Sequence, residues 1–158
     1  MKVNLACGHF SQAGYLNIDL YNPKADLIAD VKSLPLEDNS VDEALAIHIL
    51  EHFDYFGGWV ALQEWYRILK PGGRIIIESP DLLGICKKFI NLSEQERPRL
   101  YSHIYGYPWE EGQAHKFAYT KTQLTWTLKT VGFKSVFEFI PMRYPEFTDT
   151  CLGIIAVK

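Results

Sequence analysis

The sequence predicts an α/β fold with a mostly parallel sheet, on three observations. Short apolar runs bounded by turn residues recur through the first third of the chain. A helical period follows, and then Ile75-Ile76-Ile77, a β-branched run of the kind a central parallel strand buries. A last helical stretch ends at Gly132 before two further strand-like segments. Strands alternating with helices point to helices packed on a sheet.

In order, Val3 to Ala6 reads as a first strand running into Cys7-Gly8. Tyr15 to Leu20 reads as a second, with Leu16, Ile18 and Leu20 on one face and Tyr15, Asn17 and Asp19 on the other. Asn22-Pro23 is a turn signal before a short third strand, Ala25 to Ala29. Glu43 to Ile47 reads as a buried fourth strand. A helix over about Tyr55 to Leu69 places Trp59, Leu62, Tyr66 and Leu69 on one side, and Pro71-Gly72-Gly73 stops it. The fifth strand is Arg74 to Glu78, and Asp81 is positioned to cap a helix reaching about Asn91. Leu92 to Tyr119 reads as irregular and aromatic. A helix over Thr122 to Val131 then leads to an antiparallel hairpin of Phe133–Ile140 and Gly153–Val157.

Too few residues separate the first three strands for helices to intervene: only Cys7 to Gly14, then Tyr21 to Lys24. The expected sheet is therefore lopsided, with reduced helix cover over the first strands. One face there is polar or covered by the Leu92 to Tyr119 segment, whereas the fourth and fifth strands are buried on both sides. A homodimer through the polar face would bury Lys2 and Asn17 at a cost. A monomer or a weak homodimer is expected.

A chain of 158 residues suits one domain spanning 1–158, and 47% apolar content is enough for its core. The net charge of -3 argues against a nucleic-acid partner, which needs a concentrated basic face. Cys7, Cys86 and Cys151 are odd in number and lack CxxC spacing, which argues against disulfides and a zinc site. No metal ligand set is expected. No apolar stretch is long enough to span a membrane, and the N-terminal apolar run is too short for a signal peptide. A cytoplasmic protein is the expectation.

The strongest chemical signal is Gly8 at the end of the first strand and Asp19 at the end of the second. Such a glycine lets a ligand approach the backbone, and such an acid can accept hydrogen bonds from ribose hydroxyls. A tight turn and a surface acid would account equally well for these two residues alone. A pyrophosphate-binding G-x-G-x-x-G is absent, because after Gly8 the next glycine is Gly14. A nicotinamide dehydrogenase is thereby disfavoured.

Val3-Asn4-Leu5-Ala6-Cys7-Gly8 followed by Gly14-Tyr15-Leu16-Asn17-Ile18-Asp19 resembles the opening of class I S-adenosylmethionine-dependent methyltransferases of the type 11 group. Ala29-Asp30-Val31, Ser40-Val41-Asp42, His48-Ile49-Leu50-Glu51-His52, Arg67 to Gly73 and His115 to Thr120 continue the resemblance in order. It looks closest to small members linked to glycan or other small-molecule methylation.

The resemblance implies a Rossmann-like fold, S-adenosylmethionine as cofactor, and a small-molecule or glycan acceptor. It also implies roles. Ala6, Cys7 and Gly8 would line the methionine end of the cofactor, Asp19 would hold the ribose, and Asp30 with Val31 would meet the adenine. Ile47 and His48 would lie beside the sulfonium. Ala6 departs from the usual glycine, and the helix that normally follows the glycine loop is missing.

Transfer from a sulfonium mainly needs proximity and alignment, and an oxygen acceptor also needs a base. His115 is the first candidate and His103 the second, each with a loop-bracing hydrogen bond as its competing role. Glu51 and His52 look catalytic as a pair but more readily fix the start of the following helix. Tyr105 and Tyr119 are candidates to face the sulfonium. The competing function is a non-catalytic S-adenosylmethionine-binding module that supports a partner protein.

Overall fold

The computed structural model describes residues 1–141, 143–144 and 147–158. Among the described residues, seven strands form one sheet: β1 (Lys2–Leu5), β2 (Leu16–Asp19), β3 (Leu27–Ile28), β4 (Val41–Ile47), β5 (Leu69–Pro80), β6 (Ser135–Phe139) and β7 (Cys151–Val157). Their order is β3-β2-β1-β4-β5-β7-β6. The first five run parallel, and β7 lies antiparallel to both β5 and β6. The C-terminal hairpin is thus as expected. The helices are α1 (Tyr55–Ile68), α2 (Leu82–Asn91), α3 (Tyr101–Tyr105) and α4 (Lys121–Val131), with 3-10 turns at Leu50–His52 and Arg97–Leu100.

Pairing puts Val3 beside Ala44, Leu5 beside Ala46, Ala44 beside Ile75 and Ala46 beside Ile77. These side chains share one face and are fully buried. They join Ala61, Leu62, Trp65 and Ile68 of α1, with Leu124 and Leu128 of α4, in a single core. Asp54 starts α1 by accepting the Gly57 N–H at 2.7 Å. Inside the core the Trp65 indole donates to the Val31 carbonyl at 2.9 Å, which ties α1 to the loop after β3. Asp81 accepts the Leu83 N–H and caps α2, as the sequence suggested.

No helix separates β1 from β2 or β2 from β3, so the sheet is lopsided as expected. Two details differ. Leu45, Ile47, Ile76 and Ile155 of the other face are only half-buried, so β4 and β5 are not sealed on both sides. Over β1 and β2, the polar face is roofed by the chain's own 8–15 loop rather than by Leu92 to Tyr119. Asn4 donates to the Phe10 carbonyl at 2.9 Å and to Asn17 Oδ1 at 3.0 Å, and Asn17 Oδ1 accepts the Gln12 N–H at 2.7 Å. Asn4 and Asn17 are thereby buried with partners, which is how a polar strand face escapes the desolvation penalty.

Two sequence expectations of local structure are corrected. β5 begins at Leu69 rather than Arg74, because a register irregularity opposite Val41 and Glu43 absorbs Lys70 to Gly73. The 92–119 stretch is not wholly irregular: it holds the 3-10 turn and α3, and it packs at the carboxyl end of the sheet.

Candidate functional site

The carboxyl ends of β1, β2 and β4 open on one cavity of about 780 Å³. Ligands of parallel sheets bind at this edge, where the strand order reverses on either side of β1. Its size lies in the range of small-molecule sites.

β1 leaves the sheet through Ala6 and Gly8, both with positive φ, at 52° each. A Cβ on Gly8 would meet nothing within 4 Å, so the loop faces open space. The backbone N–H of Gly8 donates to Asp19 Oδ2 at 2.8 Å, and Asp19 Oδ1 accepts from the N–H groups of Tyr21 and Asn22, each at 2.8 Å. The Asn22 side-chain amide closes the ring of contacts on the Gly8 carbonyl. Burial first, and the Asp19 charge next, push the Cys7 thiol up. Further round, Asp30 Oδ1 accepts the Lys32 N–H at 2.9 Å, with the Lys32 ammonium 3.5 Å away.

At the end of β4, His48 takes a left-handed conformation with φ 53° and turns the chain into Leu50–His52. That tight turn folds Glu51 inward until it is 1% exposed. The Glu51 carboxylate meets His48 Nδ1 at 3.0 Å and accepts from the Ser79 hydroxyl at 3.1 Å. Burial opposes charge on His48, but the Cys151 sulfur and the Glu51 carboxylate outweigh it and lift the pKa to about 10. Burial opposes charge on Glu51 too, and the His48 partner wins there, holding the carboxyl below its usual range. The pair thus favours the charged form of each partner. The Tyr144 ring stands edge-on to His48, 5.0 Å between centroids.

The 106–117 stretch closes the far wall. The N–H groups of Lys116 and Phe117 donate to the Glu51 carbonyl at 2.8 and 3.2 Å, which brings His115 beside His52. Their rings are edge-to-face at 5.0 Å. His115 Nδ1 donates to the His103 carbonyl at 3.1 Å, and burial pushes its pKa down. Burial, and then the His48 charge, also lower His103, whose Nδ1 meets the Thr150 hydroxyl at 3.1 Å.

All eight residues read from the sequence as cofactor-lining reach this one cavity: Ala6, Cys7, Gly8, Asp19, Asp30, Val31, Ile47 and His48. His103 and His115 reach it as well. The two tyrosine candidates do not. Tyr119 is buried against Gly58, and Tyr105 lies 61% exposed beside Tyr101. The cavity's rings are instead those of Phe10, Tyr21, Phe53, Tyr107, Tyr144 and Phe147. Sequence reasoning missed Arg143, whose guanidinium lies 3.6 Å over the Phe10 ring, because no local pattern joins two residues so far apart.

The donor set suits S-adenosylmethionine: an open glycine loop, two acids at successive strand ends, and apolar walls from Val31 and Ile47. When bound, that cofactor would supply an activated methyl group, and these residues would form its cradle.

A family model described as a methyltransferase domain matches residues 8–77. A 54-residue stretch is 41% identical to an uncharacterized 37.1 kDa protein in a transposon of Streptomyces fradiae, covering 34% of this chain and 15% of that protein. The chain therefore spans only a small part of that relative's length. Among solved structures, it resembles a possible histamine N-methyltransferase from Thermotoga maritima (TM-score 0.64, 20% identity, 99% of this chain and 81% of that one). It also resembles a Burkholderia thailandensis 1,6-didemethyltoxoflavin-N1-methyltransferase with bound S-adenosylhomocysteine (TM-score 0.64, 17% identity, 99% and 70%). A methyltransferase from Methanosarcina mazei matches at TM-score 0.66 with 19% identity over 99% and 91%. Residues 8–77 thus match a methyltransferase domain, and the whole chain has the Rossmann-like fold of solved S-adenosylmethionine-dependent methyltransferases.

Proposed function

We propose that this domain methylates a small-molecule or sugar acceptor, with Gly8, Asp19 and Asp30 holding the cofactor and His115 on the acceptor side. The observation that supports this is the convergence of those residues on one cavity at the carboxyl edge of the sheet. Asp19 organises the glycine loop through Gly8 and keeps one acceptor position, on Oδ2, for a ribose hydroxyl. Asp30, held by Lys32, stands at the adenine end with the Val31 backbone. Ile47 and His48 border the position of the reacting methyl group. The reaction forms an acceptor–methyl bond as the sulfur–methyl bond breaks and its electron pair stays on sulfur. Alignment does most of the work.

Burial favours the neutral form of His115, and its Nδ1–H is spent on a carbonyl. That leaves Nε2 as the available lone pair, suited to activating an acceptor hydroxyl. His103 acts one step back, because its carbonyl orients His115. The reading carries with it a monomer or weak homodimer, no nucleic-acid partner and a cytoplasmic setting, which its three free cysteines suit. Among the described residues, no helix is long and apolar enough to cross a membrane.

Calorimetric titration with S-adenosylhomocysteine, with NAD as control, tests the proposal. Saturable one-to-one binding of the first and none of the second is expected. Binding of NAD alone, or of neither, overturns it.

A further inference from the structure

One cluster in the cavity has more order than a general base needs. Glu51, His52 and His115 each offer a donor atom, and those three atoms lie within 4.8 Å of one another. The two rings are oriented by the backbone. His52 Nδ1 lies 3.2 Å from the Ala114 carbonyl, and His115 Nδ1 lies 3.1 Å from the His103 carbonyl. A carbonyl only accepts, so both Nδ1 atoms carry a proton, and in the neutral rings a metal ion would need, both Nε2 atoms carry the lone pairs. Among the described residues, no hydrogen bond occupies either Nε2. This is the arrangement by which proteins fix metal-ligating histidines. The third donor, Glu51, is itself braced by His48 and Ser79.

We propose that Glu51, His52 and His115 form a site for a divalent first-row transition cation. Two imidazoles and one carboxylate are the ligands such ions take, and three protein ligands leave positions open towards the cavity. Metal–ligand bonds of about 2.0–2.2 Å require the donors to close in by roughly an ångström each. The expectation of no metal came from cysteine spacing, which is blind to a His/Glu cluster assembled from residues more than sixty positions apart.

The consequence for the reaction rests on the methyltransferase reading and takes the place of the His115 base, because a bound cation would occupy the same Nε2 lone pair. A cation held here would bind the acceptor through oxygen and lower the pKa of its hydroxyl. The proton passes to solvent, the oxygen electron pair forms the new bond to the methyl carbon, and the sulfur–methyl bond breaks with its pair left on sulfur. The acceptor class is then an alcohol, preferentially one with two neighbouring oxygens.

The test uses the full chain, stripped with a chelator. Zn2+ is titrated by calorimetry and Co2+ by visible absorption. One-to-one binding is expected, with d–d bands and no thiolate charge-transfer band. His52→Gln and His115→Gln should each weaken binding at least tenfold. On the wild-type chain, Zn2+ should shift the imidazole nitrogen resonances of His52 and His115 but not those of His9, so the result does not depend on the variants folding. No saturable binding, a thiolate band, unchanged affinity in folded variants, or unshifted His52 and His115 each overturns the site. Affinity of the stripped chain for S-adenosylhomocysteine is read separately, so loss of the cofactor reading is distinguishable from loss of the metal site.

Discussion

The Gly8 N–H donates to Asp19 Oδ2 at 2.8 Å, so the residue that marks the end of β2 also holds the loop that ends β1. With the Tyr21 and Asn22 N–H groups on its other oxygen, one carboxylate organises both strand ends.

Asp19→Ala should therefore weaken S-adenosylhomocysteine binding by tenfold or more, since each hydrogen bond to a charged group is worth about 1.5–3 kcal/mol. Asp19→Asn should fare little better, because its amide would point N–H groups at the N–H of Gly8 or at those of Tyr21 and Asn22. Calorimetry on both variants measures this. Near wild-type affinity in Asp19→Asn would show that the carboxylate charge and its second acceptor are dispensable.

Ala6 occupies a left-handed conformation, φ 52°, where a Cβ is strained. Ala6→Gly should relieve about 1 kcal/mol, net of the glycine's extra unfolded-state entropy. For a chain of this size the melting temperature should rise by roughly 2–4 °C. A calorimetric melt that falls instead would mean that Ala6 packs better than its backbone suggests.

The acid limb of stability should depend on Glu43. Burial pushes its carboxyl up, but the Tyr15 hydroxyl, Lys2 and Arg74 outweigh that and hold it at about 2, against an ordinary 4.5. A pKa lower in the folded state stabilises fully above the unfolded value and is lost as pH falls through the folded one. Lys2 and Arg74 are half-exposed and screened, so the contribution at neutral pH is about 1–2 kcal/mol. Glu43→Gln should lower stability by that amount at pH 7, and the gap should close between pH 5 and 2. A gap constant across that range in urea unfolding would rule the charge out.

The strands and most helices were legible because period and turn residues act locally: α1 was expected from Tyr55 to Leu69 and runs Tyr55–Ile68. That the residues read as cofactor-lining converge on one cavity was legible for a similar reason, since each falls at or beside a strand end. The roof over β1 and β2 was not, because alternation distinguishes polar from apolar faces but does not show that Asn4 and Asn17 are paired with a loop. Tyr119 misled in the opposite sense. An aromatic residue in an acceptor-side segment suggests a ligand contact, whereas here the bridge from Asp81 to Tyr119 sends the ring into the core.

That buried ring sets up the last test. Gly58 lies on α1, and a Cβ there would strike the Tyr119 hydroxyl. The same hydroxyl is buried with no hydrogen-bond partner among the described residues. Gly58→Ala would ordinarily stabilise a helix by up to about 1 kcal/mol. Here it must displace a ring in a packed core, and overpacking of this kind costs about 1–3 kcal/mol. Tyr119→Phe removes an unsatisfied polar atom and should be neutral or stabilising by up to about 1 kcal/mol. It also removes the atom that the new Cβ would strike. The double variant should then recover most of the loss, with a favourable coupling of about 1 kcal/mol or more between the two sites. Urea unfolding of the wild type, both single variants and the double variant closes the cycle. Additive effects would mean that the helix and the ring accommodate the methyl group independently, and that Gly58 is not required by Tyr119.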